Sequence, residues 1–69
     1  MLRLKFERTY RQISQHRLAC VAGLHQPQLS QIERGRLRPT PQELQRLSEA
    51  LGVEPAALLR DVAMLGASR

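Results

Sequence analysis

The sequence predicts an all-α domain of five short helices. Three observations carry that prediction. Apolar residues recur three and four positions apart, as in Leu44, Leu47 and Leu51, which is the spacing of one helix face. Residues that cap helix starts stand ahead of such stretches, Ser14 and Thr40 above all. Glycines at 23, 35 and 52 stand where those stretches stop.

The first helix is expected over about 3–11. Leu2, Phe6, Tyr10 and Ile13 recur as a helical stripe, although Leu2, Leu4 and Phe6 also alternate as a strand would for a few residues. Ser14 caps a second helix over 15–22, whose narrow apolar face is Leu18, Ala19 and Ala22. Gly23 ends it in a left-handed conformation. A third helix over 26–34 points Leu29 and Ile32 inward, so Gln28 and Gln31 point the other way. The run Arg36 to Thr40 reads as a loop. Thr40, Pro41 and Glu43 then make a capping box with proline in the first turn of a fourth helix, 41–51. Leu44, Leu47, Ala50 and Leu51 form its buried face, and Gly52 stops it. Pro55 opens a fifth helix over 55–63, with Leu58, Leu59 and Val62 as its apolar side. One domain over 1–63 follows, with 64–69 expected as a flexible tail. With 69 residues, no effector domain is expected.

The charge is lopsided. Residues 1–39 hold Arg3, Lys5, Arg8, Arg11, Arg17, Arg34, Arg36 and Arg38 against Glu7 and Glu33, whereas the remainder is slightly acidic. A basic half suggests a polyanionic partner. One Phe and one Tyr are too few for a platform on which bases stack. Cys20 is the sole cysteine, so no internal disulfide can form and a cytoplasmic setting is expected. No stretch approaches the length of a membrane span, and the charged start is not a signal peptide. There is no metal-ligand cluster, no nucleophile–base set and no phosphate-cradling glycine loop. Neither an enzyme nor a bound cofactor or metal is expected.

The informative unit is "SQHRLACVAGLHQPQLSQIERG", residues 14–35. Two short helices joined by a tight glycine turn are a helix-turn-helix. The steep crossing needs small residues, which Ala19 and Ala22 provide. The turn needs a residue tolerant of positive φ, Gly23, and an apolar plug, Leu24. With Leu29 and Ile32 as anchors, Gln26, Gln28 and Gln31 remain on the outer face.

This unit resembles the lambda-repressor-like, Cro-type (Xre) family of helix-turn-helix regulators. Ser14, Gln15, Leu18, Ala19, Gly23, Leu24, Leu29, Ser30, Ile32, Glu33 and Gly35 match the family pattern in register. "PTPQELQRLSEALGVEPAALL" resembles the family's last two helices, so the likeness covers about residues 4–60. It implies a sequence-specific DNA-binding regulator that lays helix three in the major groove of an operator, as a repressor or autoregulator. Gln26, Pro27, Gln28 and Gln31 fall where the family faces base edges. Gln15, His25, Ser30, Arg34, Arg36 and Arg38 fall where it approaches phosphates. Arg8 and Glu33 match a buried ion pair tying helix one to helix three. Glutamine can pair bidentately with adenine, and loop arginines can bind phosphates without reading sequence.

Two departures matter. His25 stands where the family caps with Ser or Thr. Pro27 disfavours helical geometry for Gln26, so Gln26 is either a base reader or a cap ahead of Pro27 at the first helical position, its side chain then bonding the backbone or reaching a phosphate. Gln28 and Gln31 are the base readers in both cases. A homodimer on a two-fold symmetric site is expected, with Leu58, Leu59, Val62 and Leu65 as its candidate interface; the alternative role of this apolar side is to close the core of one subunit. Short members of this family include phage repressors, restriction–modification controllers and antitoxins. The second reading is a module that docks on a protein partner through the same fold.

Overall fold

The computed structural model describes residues 1–62; Leu65 and the expected tail lie outside the described residues. Five helices follow one another: α1 (Arg3–Tyr10), α2 (Gln15–Ala22), α3 (Gln26–Glu33), α4 (Pro41–Leu51) and α5 (Pro55–Leu58). α2 packs against both α3 and α4, and α5 against α4 and α1. The shared core is Leu4, Leu18, Ala19, Ala22, Leu24, Leu29, Ile32, Leu47, Leu51 and Leu58.

The local signals act as the sequence suggests in α2 and α4. The Ser14 hydroxyl accepts from the Arg17 amide at 3.0 Å. Thr40 Oγ1 accepts from the Glu43 amide while Glu43 Oε1 accepts from the Thr40 amide, at 3.1 and 2.9 Å. Gly23 ends α2 with φ 72°, and the Leu24 amide reaches back to the Ala19 carbonyl at 2.8 Å. That closure needs a left-handed residue. A β-carbon on Gly23 would also sit 2.9 Å from Arg46 Nη1.

Three expectations need correction. Phe6 and Tyr10 are not core: they are 44% and 76% exposed and stack on each other with ring centroids 6.1 Å apart. The inward face of α1 is instead Leu4 with Glu7 and Arg8, at i, i+3 and i+4. Charged residues share the buried face, so the apolar stripe misled.

The fifth helix stops at Leu58 instead of continuing to 63. Its successors give their backbone groups to the chain start. The Arg60 carbonyl accepts from the Arg3 amide at 2.7 Å, the Val62 amide donates to the Met1 carbonyl at 2.9 Å, and Leu2 pairs antiparallel with Asp61. α1 has no side-chain N-cap, so Arg60 satisfies one of its orphan donors. The strand-like alternation at Leu2 thus survives as a single bridge.

Leu58 is fully buried and seals the domain's own core. At Leu58 the core-closing alternative therefore holds and the interface reading does not.

Candidate nucleic-acid interface

α3 starts one residue earlier than a Gln26 cap would place it. His25 is extended (φ −81°, ψ 146°) and its carbonyl accepts the first helical bond, from the Leu29 amide at 3.1 Å. His25 is therefore the N-cap by position, although its imidazole makes no capping bond. Gln26 is the first helical residue and Pro27 the second. Proline costs nothing there because first-turn amides have no helical partner. The cap alternative for Gln26 is thereby excluded.

The anchors of α3 are Leu29 and Ile32, both fully buried. Its last turn carries Glu33, whose carboxylate is 2% exposed. Arg8 Nε and Nη2 donate to Glu33 Oε2 and Oε1 at 2.7 and 3.2 Å, and Arg8 Nη1 donates to the Ile13 carbonyl at 2.8 Å. The bidentate pair fixes α3 against α1 and the α1–α2 turn. Gln15 Nε2 donates to the same Glu33 Oε1 at 3.0 Å. Gln15 Oε1 then faces Gln26, whose Nε2 lies 3.5 Å away, at the outer limit of a hydrogen bond. A polar chain therefore runs from Arg8 through Glu33 and Gln15 to the first turn of α3.

The other glutamines differ in kind. Gln28 is half-buried, and its Nε2 donates to Glu43 Oε2 at 3.0 Å. Gln31 is exposed and no hydrogen bond within the described residues engages its side chain. Ser30 is half-buried, and His25 and Pro27 are exposed.

Past α3, Gly35 (φ 76°) turns the chain, and the Arg36 and Leu37 amides donate back to the Gln31 carbonyl at 2.9 and 3.3 Å. This turn projects Arg34, Arg36 and Arg38. All three are exposed, and no ion pair or hydrogen bond within the described residues engages their guanidinium groups. Uncompensated cations beside the polar face of α3 attract polyanions.

Sequence reasoning missed two features here, Glu43 as a partner of Gln28 and Glu33 as a partner of Gln15. It also missed the Arg3–Glu7–Arg11 cluster on α1. Glu7 accepts from Arg3 Nε at 2.8 Å and from Arg11 Nη1. The Arg11 bond, then the Arg3 bond, hold the Glu7 carboxyl below its usual range. Cys20 is exposed. No described helix is long and apolar enough to cross a membrane.

A surface depression of about 380 Å³ adjoins this turn, lined by Leu2, Ile32, Leu37, Pro39 and Leu59 together with Arg36 and Arg38. Leu59 and Val62 are half-buried.

Comparison with known proteins agrees with this architecture. A helix-turn-helix family model matches residues 4–58. The chain is 38% identical to control protein C.BamHI of Bacillus amyloliquefaciens, over 84% of this chain and 80% of that one. The fold superposes on the restriction-modification controller protein C.AhdI from Aeromonas hydrophila with a TM-score of 0.75 and 33% identity, covering 83% of this chain and 86% of that one. A hypothetical transcription factor, NHTF, from Neisseria superposes with a TM-score of 0.74 and 27% identity, over 94% and 74% of the two chains. The chain belongs to the helix-turn-helix family of Cro-type, Xre-like regulators.

Proposed function

We propose that the protein is a sequence-specific DNA-binding regulator of restriction–modification genes, acting in the cytoplasm. It lays α3 in the major groove of an operator and uses no catalytic group. The observation that carries this reading is the division of labour on α3. Its inner side is fully engaged by Leu29, Ile32 and Glu33. Its outer side offers amides, and the following turn offers Arg34, Arg36 and Arg38, which no acid within the described residues neutralises. Amides beside unpaired cations suit base edges beside phosphates.

Gln28 and Gln31 read bases, with Gln26 and Pro27 at the entry of the groove. Gln15, His25, Ser30 and the three arginines hold the phosphates. The protein binds as a homodimer on a two-fold symmetric site, with half-sites about 34 Å apart. Leu59, joined by Leu2 and Leu37 around the depression, forms the subunit contact together with Val62; Leu65 belongs to the same proposal from outside the described residues.

Selection of preferred sites from random duplex DNA tests the reading. Enrichment of a symmetric site supports it. A pool that stays random overturns it and moves weight to a protein partner.

A further inference from the structure

We propose that Glu43 is a positioning residue for base recognition: it locks the Gln28 amide so that α3 reads adenine and rejects guanine. The inference rests on the DNA-binding reading above and goes beyond it by naming the base and the residue that selects it.

Both oxygens of the Glu43 carboxylate are committed. Oε1 accepts from the Thr40 amide at 2.9 Å, and Oε2 accepts from Gln28 Nε2 at 3.0 Å. The first bond belongs to the capping box of α4 and holds the carboxylate on the helix end. The second determines which way the Gln28 amide faces. A carboxylate has only acceptors, so only the NH₂ end of Gln28 can meet it. Turning the amide over would set oxygen against oxygen.

The locked amide keeps Oε1 and one N–H for the groove. Adenine presents a donor, N6–H, beside an acceptor, N7, and matches that pair. Guanine presents two acceptors, N7 and O6, and would face Oε1 with O6. A glutamine free to turn could offer its NH₂ to guanine instead. The acid on α4 removes that option, and it does so through a residue that does not itself face a base edge. The half-burial of Gln28, unlike exposed Gln31, fits an amide held from behind.

Substitution of Glu43 by glutamine turns the argument into an opposite outcome. In Glu43→Gln the Thr40 amide still needs an acceptor, so the new Oε1 stays there and the cap survives. The new Nε2 then stands where Oε2 stood and faces Gln28. Gln28 must turn its Oε1 inward and its NH₂ outward, toward guanine.

The test is site selection from random duplex DNA with the full chain and three variants. Gln28→Ala identifies the base pair concerned. Glu43→Gln is expected to move the preference at that base pair from adenine to guanine by about fivefold or more, the lower end of a bidentate contact, with other positions unchanged. Thr40→Ala, which weakens the cap without touching Oε2, is expected to lower the melting temperature and leave the selected base alone. If Glu43→Gln selects the wild-type base, or Thr40→Ala shifts it equally, the positioning role is overturned while DNA binding stands. An unenriched wild-type pool overturns both.

Discussion

Gln15 and Glu33 are joined by a 3.0 Å hydrogen bond from the glutamine amide to the carboxylate, and the same carboxylate holds Arg8 by two further bonds. One buried acid thus joins α1, α2 and α3. Removing it should strand Arg8, whose side chain is only 11% exposed. Glu33→Ala is expected to cost about 3–5 kcal/mol, lowering the melting temperature by roughly 12 °C or more. Replacing both partners with apolar residues, Arg8→Met with Glu33→Leu, should recover much of that loss. Thermal unfolding followed by circular dichroism measures both; equal losses in single and double variants would deny the pairing.

The helix-turn-helix was legible because its signals are local. Gly23, Ser14 and Thr40 act within a few residues of themselves. The inward face of α1 was not legible, because Leu4 is its only buried apolar residue and the others on that face are buried Glu7 and half-buried Arg8. Hydrophobic periodicity does not register a charged residue as inward-facing. It found Phe6 and Tyr10 instead, which face out. Arg8–Glu33 became visible only through family resemblance. Gln15–Glu33 and Gln28–Glu43 stayed hidden because each joins residues 18 and 15 positions apart that meet only once the helices are packed. The early end of α5 depended on the chain start taking its backbone partners.

Backbone strain at Gln12 yields a second prediction. It follows α1 with φ 58°, alone among described non-glycine residues in having positive φ. Its amide still donates to Thr9 and that of Ile13 to Arg8, at 3.0 and 3.1 Å, so the turn is the helix-ending kind that glycine favours. Gln12→Gly relieves the left-handed penalty against a smaller gain in unfolded-chain entropy. A net gain of about 0.5–1 kcal/mol is expected, read as a raised melting temperature. An unchanged or lower value would mean that the turn carries no strain.

Glu7 makes stability pH-dependent in a defined direction. Its folded pKa lies below the ordinary 4.5 because Arg11 and then Arg3 favour the charged form. The folded state therefore binds fewer protons than the unfolded chain through this range. The contribution is fully present above about pH 4.5 and is lost as pH falls through the lowered folded value. Glu7→Ala should cost about 0.5–1 kcal/mol at pH 7, as expected for two partly exposed helical pairs. The gap between wild type and variant should narrow as pH falls from 5 toward 3 in denaturant melts. A gap that holds constant would assign the loss to packing alone.

Arg36 and Gln31 should separate affinity from reading. Arg36→Ala removes a cation with no acid partner among the described residues. It should weaken binding to every duplex alike and reduce the slope of log affinity against log salt by about one. Gln31→Ala removes no charge, so the slope should hold while discrimination at one base pair falls by about 1–3 kcal/mol. Fluorescence anisotropy across a salt series distinguishes them. The same slope for Arg36→Ala and wild type would take the loop off the phosphates.

The proposed subunit contact should separate neighbours on α5 and its exit. Leu58 is fully buried and Leu59 half-buried beside the depression that Leu2 and Leu37 line. Leu58→Ala should leave a cavity and cost about 2–5 kcal/mol of folding stability. Leu37→Glu changes a side chain that is 42% exposed, so folding should persist. If this face joins two subunits, the new charge is desolvated there and sedimentation at micromolar concentration should shift from dimer to monomer. Affinity for a single half-site should fall modestly, because the new acid stands between Arg36 and Arg38, whereas the further advantage of a two-half-site duplex should collapse. Leu59→Asp should act in the same direction with some loss of stability. A dimer that survives both substitutions would place the interface on another face of the domain.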